Sequence, residues 1–198
     1  DDQRATPLNF ADSPDVIKLF LDKNADANNC ALVDKKEKTD FNEYNCTPFK
    51  KAILNGQNDI LDSMLTNHHA DPVKKTYGIR PLDVALKAGT KLKFGNIEAV
   101  EKLLRYIPDR QKPFCQAIIM VWNENEEGLN AILDPGMLNQ KTEFGLTLLH
   151  YAAVKGNVTL GRRLITEKNI NRQDNWGNTA LHYAVYNQQV DFIKFLIE

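Results

Sequence analysis

Residues 174–198, DNWGNTALHYAVYNQQVDFIKFLIE, repeat the pattern of residues 142–167, TEFGLTLLHYAAVKGNVTLGRRLITE. Setting Gly145 on Gly177 brings Thr147 onto Thr179, His150 onto His182, Ala152 onto Ala184 and Leu164 onto Leu196, each pair 32 residues apart. Matches at that density mark an internal repeat. A period within roughly 20–50 residues is the signature of small supersecondary units that bury their apolar faces by stacking. Each of these two copies holds two apolar stretches of helical size.

Working outward from that pair, further copies open at Thr6-Pro7-Leu8-Asn9-Phe10-Ala11, Thr47-Pro48-Phe49-Lys50-Lys51-Ala52, Arg80-Pro81-Leu82-Asp83-Val84-Ala85 and, more divergent, Lys112-Pro113-Phe114-Cys115-Gln116-Ala117. All six copies place alanine sixth, which predicts a close contact between neighbouring first helices where only a small side chain fits. Proline stands second in four of them, a position suited to the first turn of a helix, where its missing N–H is not needed. From that alanine to the leading apolar residue of the second helix, copies two, five and six count 12 residues, as in Ala52 to Met64. The first copy is about three shorter. The third, Ala85 to Leu103, is six longer, with the surplus expected in the turn within Thr90–Gly95. The fourth, Ala117 to Ile132, is three longer and has Asn123-Glu124-Asn125-Glu126 where a glycine would end the first helix. Between copies one and two, about eleven surplus residues fall in Asn29–Tyr44, a mixed-charge stretch without a helical stripe that reads as an extended loop.

A period near 33 residues carrying T-x-L-H-x-A before two short helices resembles the ankyrin repeat. The resemblance implies an all-α solenoid of about six helix-turn-helix repeats with short β-hairpin fingers. The repeats would lie near 4–28, 45–72, 78–106, 110–134, 145–171 and 177–198, with an insertion at 29–44. It implies a structural role for His150 and His182, whose ring nitrogens would tie adjacent turns, rather than a metal or catalytic role. Asn9, Lys50, Asp83 and Cys115 occupy that slot in the other copies, so those turns must be satisfied differently. His68-His69 reads as an exposed pair at a helix C-terminus, where the dipole favours it.

The implied function is protein–protein recognition through a concave face of fingers and first helices. Three residues before the threonine position stand Tyr44, Tyr77, Phe144 and Trp176, an aromatic at the same finger tip in four of six copies, interrupted by Asp109 in copy four. Aromatics give large contact area at low entropic cost and dominate binding hot spots. They can equally pack on the neighbouring finger, and both readings stand. Around them the fingers add Glu43, Thr76, Ile79, Glu143, Leu146, Asn175 and Asn178. The first helices add Leu54, Asn55, Lys87, Val154, Lys155, Tyr186 and Asn187. The candidate partner-binding residues are therefore Tyr44, Tyr77, Ile79, Glu143, Phe144, Leu146, Lys155, Asn175, Trp176, Asn178 and Tyr186. Their mixture of polar and apolar side chains fits a protein partner better than nucleic acid, which would call for a basic stripe.

Composition points the same way. The formal charge of −1 over 198 residues supplies no global field for nucleic acid or anionic lipid. Cys30, Cys46 and Cys115 are odd in number and far apart, which indicates neither a disulfide framework nor a zinc site but a reducing, intracellular compartment. No apolar run approaches the roughly 20 residues that span a bilayer, and the first residues do not open a signal peptide. Phosphate-binding, nucleotide-binding, nucleophile-elbow and zinc-protease signatures are missing, so no catalytic residue, metal, cofactor or small-molecule substrate is expected. A hydrolase built on Cys115 is the remaining enzymatic reading, and it needs an accessible thiol beside a histidine. Both ends read as cut from a longer protein, since the last helix is apolar at Phe192, Ile193, Phe195, Leu196 and Ile197. The segment could then be the targeting region of a larger enzyme, a eukaryotic adaptor, or a secreted bacterial effector working in the host cytoplasm.

Overall fold

A computed structural model describes residues 6–29, 47–67, 70–75, 79–86, 96–109 and 112–198. They fall into two compact units, Asp1–Ile107 and Pro108–Glu198.

In the first unit the helices come in short pairs: α1 (Pro7–Phe10) with α2 (Pro14–Asp22), α3 (Pro48–Leu54) with α4 (Asn58–Thr66), and α5 (Pro81–Ala85) with α6 (Ile97–Leu103). Pro7, Pro48 and Pro81 each take the first helical position, where a fixed φ favours initiation and no N–H is required. First helix packs on first helix, α3 against α5, and second on second, α2 against α4 and α4 against α6. Helices of four to nine residues are too short to be stable alone. Stacking is what holds them.

The second unit repeats the plan with α7 (Lys112–Trp122) and α8 (Glu126–Ile132), α9 (Leu148–Lys155) and α10 (Val158–Leu164), α11 (Ala180–Tyr186) and α12 (Val190–Ile197). Here α9 lies between α7 and α11, and α10 packs on α12. All six sixth-position alanines, Ala11, Ala52, Ala85, Ala117, Ala152 and Ala184, are buried. Small side chains at these positions let the first helices approach closely.

The turn between the two helices of a pair is built the same way in several copies. Gly56, Glu124, Gly156 and Gln188 all adopt left-handed backbone, with φ of 67°, 56°, 72° and 57°. The next residue caps the second helix: Asn125 and Asn157 each accept a hydrogen bond from a backbone N–H of the first turn. Copy four thus does without the glycine because Glu124 takes the strained conformation itself. Its three surplus residues extend α7 to 11 residues, against 8 in α9. The capping position also reaches back one repeat. Gln57 donates to the Asp12 carbonyl at 2.8 Å, Asn96 to Ile53 at 3.1 Å and Gln189 to Val154 at 3.0 Å.

Among the described residues no β-hairpin ladder forms, and in the second unit the fingers at 142–146 and 174–178 are tight loops whose ends are joined by a backbone bond. The Thr142 N–H donates to the Leu146 carbonyl at 2.9 Å, and the Asp174 N–H to Asn178 at 2.8 Å. Five-residue loops leave no length for a second rung. Gly145 and Gly177, both at φ +84°, make the reversal, and a side chain on Gly145 would also strike Asp174 and Asn175. The first copy is short because Ala11 already ends α1 and Ser13 already stands at the N-terminal boundary of α2. Most of the Asn29–Tyr44 insertion, the surplus within Thr90–Gly95, and His68-His69 lie outside the described residues.

Candidate protein-binding face

The site rests on the loops, and the loops rest on the fourth position of the motif. His150 is fully buried. Its Nδ1 accepts from the Thr147 N–H at 3.1 Å and lies 2.8 Å from the Thr147 hydroxyl, which leaves Nε2–H to donate to the Asn178 carbonyl of the next finger at 3.3 Å. Burial holds its pKa below the usual histidine value, so the ring is neutral. His182 makes the same contacts to Thr179, at 3.2 and 2.9 Å, with its ring exposed.

Other side chains meet the same requirement elsewhere. Asn9 accepts from the Thr6 N–H at 2.8 Å and the Thr6 hydroxyl at 2.9 Å, and its Nδ2 donates to the Asn29 carbonyl at 2.9 Å. Lys50, buried, sends its ammonium to the Ile79 carbonyl at 2.5 Å. Asp83 turns back to its own helix start, accepting from the Arg80 N–H and guanidinium at 2.8 to 3.0 Å. Cys115 is buried in the slot, so its thiol is not the accessible one that the hydrolase reading calls for.

On this scaffold the fingers of the second unit interlock. Asp174 is buried and organises its loop by accepting from the Trp176 and Asn178 N–H groups at 2.9 and 2.8 Å and from the Tyr183 hydroxyl at 2.6 Å. Burial first, and then that bond and the carboxylate charge, push the Tyr183 pKa far upward, so the phenol stays protonated as the donor. Asn175 ties the two tips together, its N–H to the Phe144 carbonyl at 2.9 Å and its Nδ2 to the Glu143 carbonyl at 2.7 Å. Trp176 stacks on Phe144 with centroids 5.5 Å apart and planes 24° apart.

Each sequence candidate in this unit therefore has a definite place. Phe144, 4% exposed, and Leu146 are buried, so they shape the fingers rather than present surface. Trp176 and Asn178 are half-buried, and Glu143 and Asn175 are exposed. At the ends of the first helices, Lys155 is half-buried and Tyr186 is 54% exposed. Neighbouring Val154 is buried and Asn187 half-buried. Asp109, exposed, is paired with Lys112 at 2.7 Å, which lowers its carboxyl pKa.

In the first unit, Ile79 and Leu54 are half-buried and Asn55 is exposed. Tyr44, Tyr77, Glu43, Thr76 and Lys87 lie outside the described residues. Trp122 is a neighbour of Lys155 that the repeat pattern does not flag. The longer α7 carries its half-buried ring to where the Lys155 ammonium sits 5.3 Å from the centroid, with Glu124 3.5 Å from the same ammonium. The three surplus residues of copy four are its trace in the sequence.

Helix pairs that recur along the chain, several of them joined by left-handed turns, and that pack through alanines define a helical repeat protein. Residues 114–198 match the family of ankyrin repeats in 3 copies. Over 94 residues, 46% of this chain, it is 28% identical to the Transient receptor potential cation channel subfamily A member 1 of Homo sapiens, and the match spans 8% of that protein's length. Ankyrin repeats generally serve as protein–protein interaction modules, typically without catalysis. Among the described residues, no group of His, Cys, Asp and Glu could hold a metal ion, and no helix is long and apolar enough to cross a membrane.

Proposed function

We propose that this chain recognises a protein partner through the finger tips and first-helix ends of Pro108–Glu198. The observation that carries the reading is a division of labour. α9 is buried from Leu148 to Val154, while Glu143, Asn175, Trp176, Lys155 and Tyr186 keep surface around it. A half-buried tryptophan, a tyrosine and a lysine amid polar amides have the composition of a binding patch, with anchors that lose little entropy on binding.

The test compares partner capture by the wild-type chain and by a Lys155→Ala, Trp176→Ala, Tyr186→Ala variant with unchanged circular dichroism. Loss of capture supports the site. Equal capture moves recognition to the second helices or to the 29–44 insertion.

The match to a small fraction of a much longer protein favours a second layer to this reading: a recognition region within a larger polypeptide. It would then position whatever activity the rest carries, whether enzyme, adaptor or secreted effector. A buried thiol at Cys115 suits a reducing, intracellular setting.

A further inference from the structure

Three turns place an asparagine just before the left-handed residue: Asn55 before Gly56, Asn123 before Glu124 and Asn187 before Gln188. Asn55-Gly56 is the one Asn-Gly pair in the chain. Its carboxamide is also held differently. Asn187 sends its Nδ2 back to the Tyr183 carbonyl at 2.7 Å, whereas the exposed Asn55 carboxamide makes no hydrogen bond among the described residues. Beside it, Gly56 is exposed, and a Cβ placed there would meet nothing within 4 Å. A side chain on the following residue is the ordinary hindrance when that residue's backbone nitrogen attacks an asparagine carboxamide. Here there is none. The nitrogen is held by a bond from the Gly56 N–H to the Ile53 carbonyl at 3.2 Å, at the frayed end of a seven-residue helix.

We infer that Asn55 is a site of deamidation. When the turn opens, the Gly56 nitrogen gives its proton to solvent and bonds to Asn55 Cγ. The Cγ–Nδ2 bond breaks, the nitrogen leaves as ammonia, and a succinimide ring closes. Water then opens the ring at either carbonyl, which yields aspartate or isoaspartate with no change of oxidation state.

What hangs on this turn gives the modification its consequence. The Gln57 N–H donates to the Ala52 carbonyl at 2.9 Å, and Gln57 Nε2 to the Asp12 carbonyl at 2.8 Å. From the other side, Asn96 Nδ2 donates to the Ile53 carbonyl at 3.1 Å and to Asn58 Oδ1 at 2.8 Å. Residues 53–58 therefore tie the second copy to both of its neighbours in the first unit. Isoaspartate routes the main chain through Cβ and adds a carbon inside that stretch. It also leaves a carboxylate at the C-terminal end of α3, where the helix dipole disfavours it. The converted turn loosens the first unit on both sides of the second copy.

The experiment ages the folded chain in warm neutral buffer and follows Asn55, Asn123 and Asn187 by peptide mass mapping. Isoaspartate is read with an isoaspartyl carboxyl methyltransferase and a labelled methyl donor. Asn55 is expected to convert at least several-fold faster than the other two, and Asn55→Gln, which would have to close a larger ring, is expected to remove the methyl signal. In the isolated isoaspartyl form the amides of Gln57, Leu61 and Val100 should exchange at least about tenfold faster, with Leu160 unchanged. Conversion at Asn55 no faster than at Asn187, conversion only in urea, or a methyl signal that survives Asn55→Gln would overturn the site. Unchanged exchange at those three amides in the isoaspartyl form would overturn the loosening.

Discussion

The two units answer one structural demand with different chemistry. In Pro108–Glu198 the fully formed junction uses His150, a neutral ring that accepts from its own helix start and donates to the next finger. In Asp1–Ile107 an amide does both jobs at Asn9, an ammonium does the donating at Lys50, and a carboxylate does the accepting at Asp83. The slot thus admits several ways of satisfying a helix start or the following loop, and no particular residue is required. The costs of supplying that link differ. A buried ring is neutral, whereas a buried lysine must keep its donors satisfied or be expelled.

That comparison breaks most visibly at Lys50. Lys50→Ala leaves the Ile79 carbonyl without this donor and opens a void, an expected loss of about 2–4 kcal/mol in urea unfolding. Lys50→His is expected to cost much less, because Thr47 can serve Nδ1 and Ile79 can accept from Nε2.

Packing gives the next largest effect. Gly161→Ala drives a methyl into the Phe192 ring and should cost about 1–3 kcal/mol, read as a lower urea midpoint. Ala152→Leu at the buried first-helix contact belongs to the same range.

At the slot in the second unit, His150→Ala should cost about 1–3 kcal/mol and His150→Asn about half as much, since Asn9 already performs the same pairing. The histidine adds a pH dependence that asparagine lacks. Its folded pKa lies below the ordinary 6.5, so the unfolded chain binds the proton more readily. The stability tied to the neutral ring is full above about pH 6.5 and is lost as pH falls through the folded value. Subtracting the urea-unfolding pH profile of His150→Asn from that of the wild type should isolate that slope.

Smallest of all are the surface changes. Lys155→Ala, Tyr186→Ala and Val185→Asp should each move stability by about 0.5 kcal/mol or less, although the first two are expected to weaken partner capture.

Much of this was legible in the sequence, because repetition turns single residues into aligned positions. The alanine column, the threonine–histidine turn and the helix pairs follow from patterns that occur several times over. What the pattern concealed was compensation. Glu124 standing in for a glycine, and Lys50 and Asn9 standing in for histidine, depend on backbone angle and on acceptors contributed by the next loop. Among the described residues, the fingers at 142–146 and 174–178 form no β-ladder because five residues leave no length for a second rung. The finger aromatics divide according to neighbours: Phe144 is covered by Trp176, while Trp176 keeps part of its surface. Sequence spacing gives both the same rank.

The most direct measurement is a hydrogen-exchange footprint of the chain bound to its captured partner. The expected result is slowed exchange at residues 142–146 and 174–178 and around Lys155 and Tyr186, with α10 and α12 unchanged. Slowed exchange confined to Val158–Leu164 and Val190–Ile197 would contradict recognition by the fingers and first-helix ends.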